Sequence, residues 1–117
     1  MGLAGVAVAA TVAGCGSGAP VATAQRSIQI AVLEYRINPT SVTTSAGIHT
    51  FVVHNYGILA HNLVITHGTE RFAHTQPVYP GGTADLTVDL PAGRYTLKSD
   101  INAQVVAMNV PLFVLPQ

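Results

Sequence analysis

The sequence predicts an all-β domain, a sandwich or a barrel. Three observations carry that expectation. From Ser27 onward apolar and polar residues alternate in short runs, β-branched residues crowd those runs, and Gly/Pro turn signals separate them. No segment after Ser27 sustains a helical period over ten residues. About six to eight short strands with such turns describe an antiparallel β-architecture rather than an α/β one.

Ser27 to Tyr35 reads as the first strand, and Ile37-Asn38-Pro39-Thr40 as a turn. Ser41 to Thr44 is a short strand, ended by Ala46-Gly47. His49 to Asn55 is the third strand, closed by Tyr56-Gly57, and His61 to Thr66 the fourth. Gly68 to Ala73 reads as a loop. Tyr79-Pro80-Gly81-Gly82 is a turn signal, and Thr83 to Leu90 alternates as the next strand. Pro91-Ala92-Gly93 turns the chain into Gly93 to Leu97, and Val110 to Leu115 closes the domain. Pro111 cannot donate a ladder hydrogen bond, so it suits an edge or a strand start. Same-face positions give an expected core of Ile30, Val32, Phe51, Val53, Leu63, Ile65, Leu86, Val88, Tyr95, Leu97 and Phe113.

Composition removes several function classes. The chain has 117 residues, enough for one sandwich core but not two. Lys plus Arg and Asp plus Glu are five each, so the formal charge is zero. Nucleic-acid binding and polybasic membrane attachment both need a basic face, and five scattered cations do not make one. Charged residues are only 9%, which suits a chain tethered to a membrane or packed on a partner better than a free one.

The one cysteine is Cys15, within Val12-Ala13-Gly14-Cys15. An apolar or small stretch from Gly2 to Gly14 precedes it, and a Gly/Ser/Ala/Pro/Thr-rich stretch follows. This resembles the lipobox of a bacterial lipoprotein signal, which implies acylation at Cys15. The expected organisation is a signal segment at 1–14, a flexible tether at 15–26 and a folded domain at 27–117. The implied location is a cell membrane, lipid-anchored on the extracytoplasmic face. No Lys or Arg precedes Cys15, so the basic n-region of such a signal is expected upstream. No thiol remains after Cys15, so no disulfide and no catalytic or metal-binding thiolate can form within the domain.

From Ile28 to Leu115 the landmarks come in an order that resembles the cupredoxins. Asn38-Pro39 follows the first strand, and Val42 through Gly47 precedes Phe51-Val52-Val53. Asn55-Tyr56-Gly57 leads into Ala60-His61-Asn62-Leu63, then come Pro80-Gly81 and Leu90-Pro91-Ala92-Gly93-Arg94-Tyr95. The resemblance implies an antiparallel Greek-key sandwich. It also implies a copper loop after Tyr95, with His61 as the first ligand. At the family's spacing Ser99 stands for the cysteine, Gln104 for the second histidine and Met108 for the axial methionine. A blue-copper centre is a His2Cys site with a weak axial ligand. A serine hydroxyl and a carboxamide are poor substitutes, so the resemblance implies the fold without the electron-transfer centre. Ser99, Asp100, Asn102 and Gln104 are expected instead to hydrogen-bond around His61, Asn62 and the loop backbone.

The other histidines carry weaker patterns. His49 and His54 lie five apart on one strand and face opposite sides. His67 follows His61 by six residues, ~20 Å of extended strand. His67, Glu70 and His74 form a candidate surface metal site, although a solvated strand end or loop is the expected place of each histidine. No GxSxG, phosphate loop or carboxylate pair supports catalysis. The sequence reading is therefore a non-enzymatic, membrane-tethered binding or interaction domain with a degenerate copper site, needing no cofactor. The alternative is copper handling through His61 and Met108, with other histidines or a partner chain, since imidazole and thioether suit Cu(I).

Overall fold

The computed structural model describes residues 26–102 and 108–117. Cys15 and Gln104 lie outside the described residues, as does the 1–14 segment. Among the described residues nine strands form: β1 (Arg26–Leu33), β2 (Arg36–Asn38), β3 (Val42–Ser45), β4 (Gly47–Asn55), β5 (Val64–His67), β6 (Glu70–His74), β7 (Thr83–Leu90), β8 (Gly93–Lys98) and β9 (Val110–Leu115). They build a four-stranded sheet in the order β2-β1-β4-β7 and a five-stranded sheet in the order β3-β9-β8-β5-β6. Both sheets close within residues 26–117.

The expected sandwich is present, with one refinement. β1 pairs with β4, and β3 with β9, in parallel; the other ladders are antiparallel. The parallel pairs arise because the chain changes sheets between adjacent strands. β3 passes to β4 through Ala46 alone, and Gly47 makes the switch at φ +136°, a backbone conformation that a β-carbon would strain.

The core lies between the sheets. Ile30, Val32, Phe51, Val53, Leu63, Ile65, Tyr95 and Leu97 are buried there as expected. Leu86 and Val88 point inward but are only half-buried, because β7 is an edge strand. Phe113 is a correction. It points outward beside Thr43, with the Arg94 guanidinium 5.3 Å from its ring centre, while Val110, Leu112 and Val114 fill the core. The run Val110-Pro111-Leu112-Phe113-Val114-Leu115 is apolar at every position, so alternation could not reveal its face.

Two segments expected to lack strands have them. Ile37 lies in β2, 1% exposed, and caps the core where a turn was expected. Glu70 to His74 forms β6, an exposed edge strand with a bulge opposite Ile65/Thr66. Glu-Arg-Phe-Ala-His lacks the alternation that marks a half-buried strand, because the bulge breaks its register. Tyr95 closes the β7–β8 turn, its hydroxyl donating to the Pro91 carbonyl at 2.7 Å. Burial pushes its phenol up from the usual tyrosine range.

The parallel β1/β4 pair sets a common direction. Leu33 and Asn55 end at one pole of the sandwich, and Thr83 starts there. The loops carrying Glu34-Tyr35, Tyr56 to Leu63, Val78 to Gly82 and Ser99 to Asn102 meet at this pole. Arg26, the start of the described chain, lies at the other.

Candidate functional site

Three sequence-expected residues, His61, Ser99 and Met108, are all buried at the loop pole, 0%, 3% and 1% exposed. His61 is held by its backbone, which exchanges both amide hydrogen bonds with Val78. Its ring nitrogens both face oxygen. Nε2 lies 3.1 Å from Glu34 Oε2, and Nδ1 lies 3.3 Å from the Ile101 carbonyl.

Ser99 and Asn62 form a latch across the pole. The Ser99 hydroxyl donates to the Ile101 carbonyl at 3.0 Å, with Asn62 Oδ1 at 3.2 Å as a second acceptor. It also accepts the Asn62 backbone N–H at 3.3 Å. The Asn62 amide donates to Asp100 Oδ1 at 2.8 Å and accepts the Asp100 N–H at 3.0 Å. Asp100 continues outward to Arg71, 2.8 Å away. Burial raises the Asp100 carboxyl, but the Asn62 and Arg71 hydrogen bonds outweigh it and leave it below the usual carboxylate range. Asn102 donates to the Ala60 carbonyl at 2.9 Å. Ser99, Asp100 and Asn102 thus tie the 99–102 segment to the 60–62 segment. Buried polar groups such as the Ser99 hydroxyl and the Asn62 amide are satisfied by hydrogen bonds in this way.

Glu34 belongs to the site and was not singled out by the sequence. Its Oε2 accepts the N–H groups of Ile58 at 2.7 Å and Leu59 at 2.9 Å, besides facing His61. The Leu59 hydrogen bond is the main cause holding this carboxyl below its usual range; partial burial opposes it, and His61 and Ile58 add to it. Gly57 makes the approach possible, since a β-carbon there would overlap the Glu34 carboxylate. Asn55 supports the same loop, donating to the Leu59 and Val78 carbonyls and accepting the Gly57 N–H. The loop 57–61 is therefore pinned at several points. The only signal in the sequence was an isolated acid at the end of a strand, and its partners lie more than twenty residues away.

The His67, Glu70 and His74 set is not brought together. His67 pairs with Glu70 at one end of the hairpin, whereas His74 sits opposite Val64 at the other. His67 packs on the Tyr95 ring at 5.0 Å, and His74 Nδ1 bonds the Thr75 carbonyl at 3.0 Å. Among the described residues no group of three or more His, Cys, Asp or Glu side chains could hold a metal ion.

His49 and His54 face opposite sides of β4 as expected, and His49 is the buried one, with Nε2 donating to the Ser45 carbonyl at 2.6 Å and Nδ1 without a partner. His54, outward as expected, bonds Gln29 and stacks on Tyr56 beside a shallow recess of about 370 Å³.

No protein-family model and no curated protein matches the sequence. Solved structures do match. Auracyanin B superposes with a TM-score of 0.69 at 15% identity, covering 78% of this chain and 89% of that one. Auracyanin A, a "blue" copper protein from Chloroflexus aurantiacus, gives 0.68 at 18% identity, covering 77% and 98%. The auracyanin of Roseiflexus castenholzii gives 0.63 at 21% identity, covering 77% and 97%. This chain has a cupredoxin-like fold. The blue copper oxidase of Nitrosomonas europaea matches too, with 80% of this chain covering 39% of that one, so the cupredoxin-like domain here corresponds to one part of that enzyme. At these identities the likeness speaks for the fold alone.

Proposed function

We propose that the protein is a non-enzymatic, membrane-tethered cupredoxin-like module that has lost the type 1 copper site and works as an extracytoplasmic interaction domain. The donor set does not suit copper. The domain has no thiolate, because the sole cysteine is Cys15. At the position aligned with the thiolate, the Ser99 hydroxyl is committed to Asn62 and Ile101. That commitment is the observation that carries the reading. Both His61 nitrogens also face oxygen partners, so a metal at either would have to displace Glu34 or Ile101. His61 and Met108 alone are a weak pair for tight binding, which disfavours copper handling as the function. No cofactor is required for an interaction role.

Two measurements test this reading. The domain, isolated from cells grown with added copper, should carry well under one copper per chain; a stoichiometric content would overturn the loss of the site. The tether rests on the lipobox-like Val12-Ala13-Gly14-Cys15. Acylation with two or more chains gives stable attachment where one is marginal. Full-length protein should therefore sediment with membranes in a bacterial host, and Cys15→Ala should not mature. Equal soluble fractions with unprocessed mass would remove the anchor.

A further inference from the structure

Among the described residues four strands lie at sheet edges: β2 and β7 in one sheet, β3 and β6 in the other. An open edge invites pairing with another chain, and proteins blunt such edges with short strands, Pro, bulges or charge. β2 has three residues and stops at Pro39, β3 has four, and β6 is bulged. β7 differs. Thr83–Leu90 runs for eight residues, ~27 Å of strand, with no Pro and no break in its register with β4. The ladder shows which of its backbone groups are free. Asn55 N–H donates to the Gly82 carbonyl, and hydrogen-bonded pairs alternate from there, so Ala84, Leu86 and Val88 spend their N–H and C=O groups on β4. Thr83, Asp85, Thr87 and Asp89 therefore turn both groups to the open edge, where no described strand pairs with them. Their side chains are exposed on the outer face, while Leu86 and Val88 stay half-buried on the core face.

We propose that the β7 edge docks an extended segment of another protein, one that alternates apolar and cationic residues and adds itself to the four-stranded sheet as a fifth, antiparallel strand. The free backbone groups of Thr83, Asp85, Thr87 and Asp89 supply the ladder, as in other cases of strand addition. The side chains choose the occupant. Asp85 and Asp89 stand on the outer face with no ion-pair partner among the described residues. Residues directly opposite one another in an antiparallel pair interact, favourably when their charges are opposite and unfavourably when they are alike. A strand with Lys or Arg opposite Asp85 and Asp89 is therefore drawn in. A second β7 is turned away, because every antiparallel register that overlaps the two strands sets an aspartate opposite or diagonal to one of the copy. The same two residues thus protect the edge from self-pairing and leave it open to a cationic strand. The core face asks for apolar residues at the alternate positions, which would finish covering Leu86 and Val88. The remaining sequence of this chain does not offer such a strand, since no Lys or Arg occurs in residues 1–25 or 103–107.

This inference rests on the interaction-domain reading. Copper content tests the loss of the metal site and peptide binding tests the edge, so the two can fail separately. The probe is the capped peptide Val-Lys-Val-Thr-Val-Lys-Val, which sets its two lysines opposite Asp89 and Asp85. It is titrated into isotope-labelled residues 26–117, within which both sheets close, and followed by nuclear magnetic resonance. Binding should saturate. The N–H groups of Thr83, Asp85, Thr87 and Asp89 should exchange with solvent at least about tenfold more slowly in the complex than in the free domain. Glu in place of both lysines should weaken binding at least about tenfold, and Asp85→Asn with Asp89→Asn should weaken the lysine peptide about threefold or more. Thr87→Pro removes a donor that faces only the open edge, so the variant should stay folded by circular dichroism yet lose the peptide. The proposal is overturned if the peptide does not bind, if it binds equally well with Lys or Glu, or if it binds without slowing these four amides. Slow exchange of the four amides that grows with protein concentration, in the absence of peptide, would also overturn it, assigning the edge to a second copy.

Discussion

Phe51→Ala should destabilise the domain by about 3–5 kcal/mol, the usual range for truncating a buried phenylalanine. Phe51 is fully buried in the middle of β4, which is paired on both sides, with Ile28 and with Leu86. Flanked by two ladders, its neighbours cannot collapse into the space left behind, so the cavity adds to the lost transfer energy. The loss should appear in urea unfolding as a lower midpoint with an unchanged slope. Such a cost is a large share of the marginal stability of a domain this size. Phe113→Ala is the contrast. Phe113 is partly exposed on the outer face and should cost well under half as much, although the sequence alone ranked it with the core. Equal losses at the two positions would contradict the assigned register of β9.

The second large effect concerns the pole itself. Ser99→Cys combined with Gln104→His should give a domain that turns blue or green with Cu(II), where the wild type is expected to stay colourless. The change supplies a thiolate and a second imidazole at the spacing the cupredoxin resemblance assigns, beside His61 and Met108. Without metal the variant should be less stable than wild type. The Ser99 hydroxyl now serves Asn62 and Ile101, and a thiol is a poorer partner, so the loss should be on the order of 1–3 kcal/mol. With copper the thermal midpoint should rise again, because a ligand bound only by the native state stabilises it by mass action. A folded variant that shows no intense visible band would mean that residues 95–108 are not aligned as the resemblance assigns them.

The sequence disclosed the fold through its turns more than through its strands. Asn38-Pro39, Ala46-Gly47, Gly81-Gly82 and Pro91-Ala92-Gly93 punctuate the chain, and strands β4, β7, β8 and β9 fall close to where those signals leave room for them. What stayed hidden has physical causes. β6 is polar, exposed and bulged, so neither period nor hydrophobicity marks it. The outward face of Phe113 was concealed by an apolar neighbour on each side. His61, Ser99 and Met108 were singled out by the cupredoxin resemblance, and the structure buries all three at the loop pole. Glu34 was not singled out, because its role depends on a loop that returns to it from residues 57–61, a contact that no local pattern encodes. The inward face of His49 follows from alternation, since it is shared with Phe51 and Val53, but no local pattern shows that the Ser45 carbonyl meets its ring nitrogen.

The central claim is that this cupredoxin-like pole is closed by hydrogen bonds in place of copper. It is tested most directly by competition titration of the wild-type domain, residues 26–117, with Cu(I) and Cu(II) against a chelator of known affinity, in parallel with His61→Ala. The expected result is that both proteins fail to compete, and that neither gains thermal stability from either ion. One equivalent of copper taken up tightly by wild type and lost in His61→Ala would contradict the account and restore a copper centre to this pole.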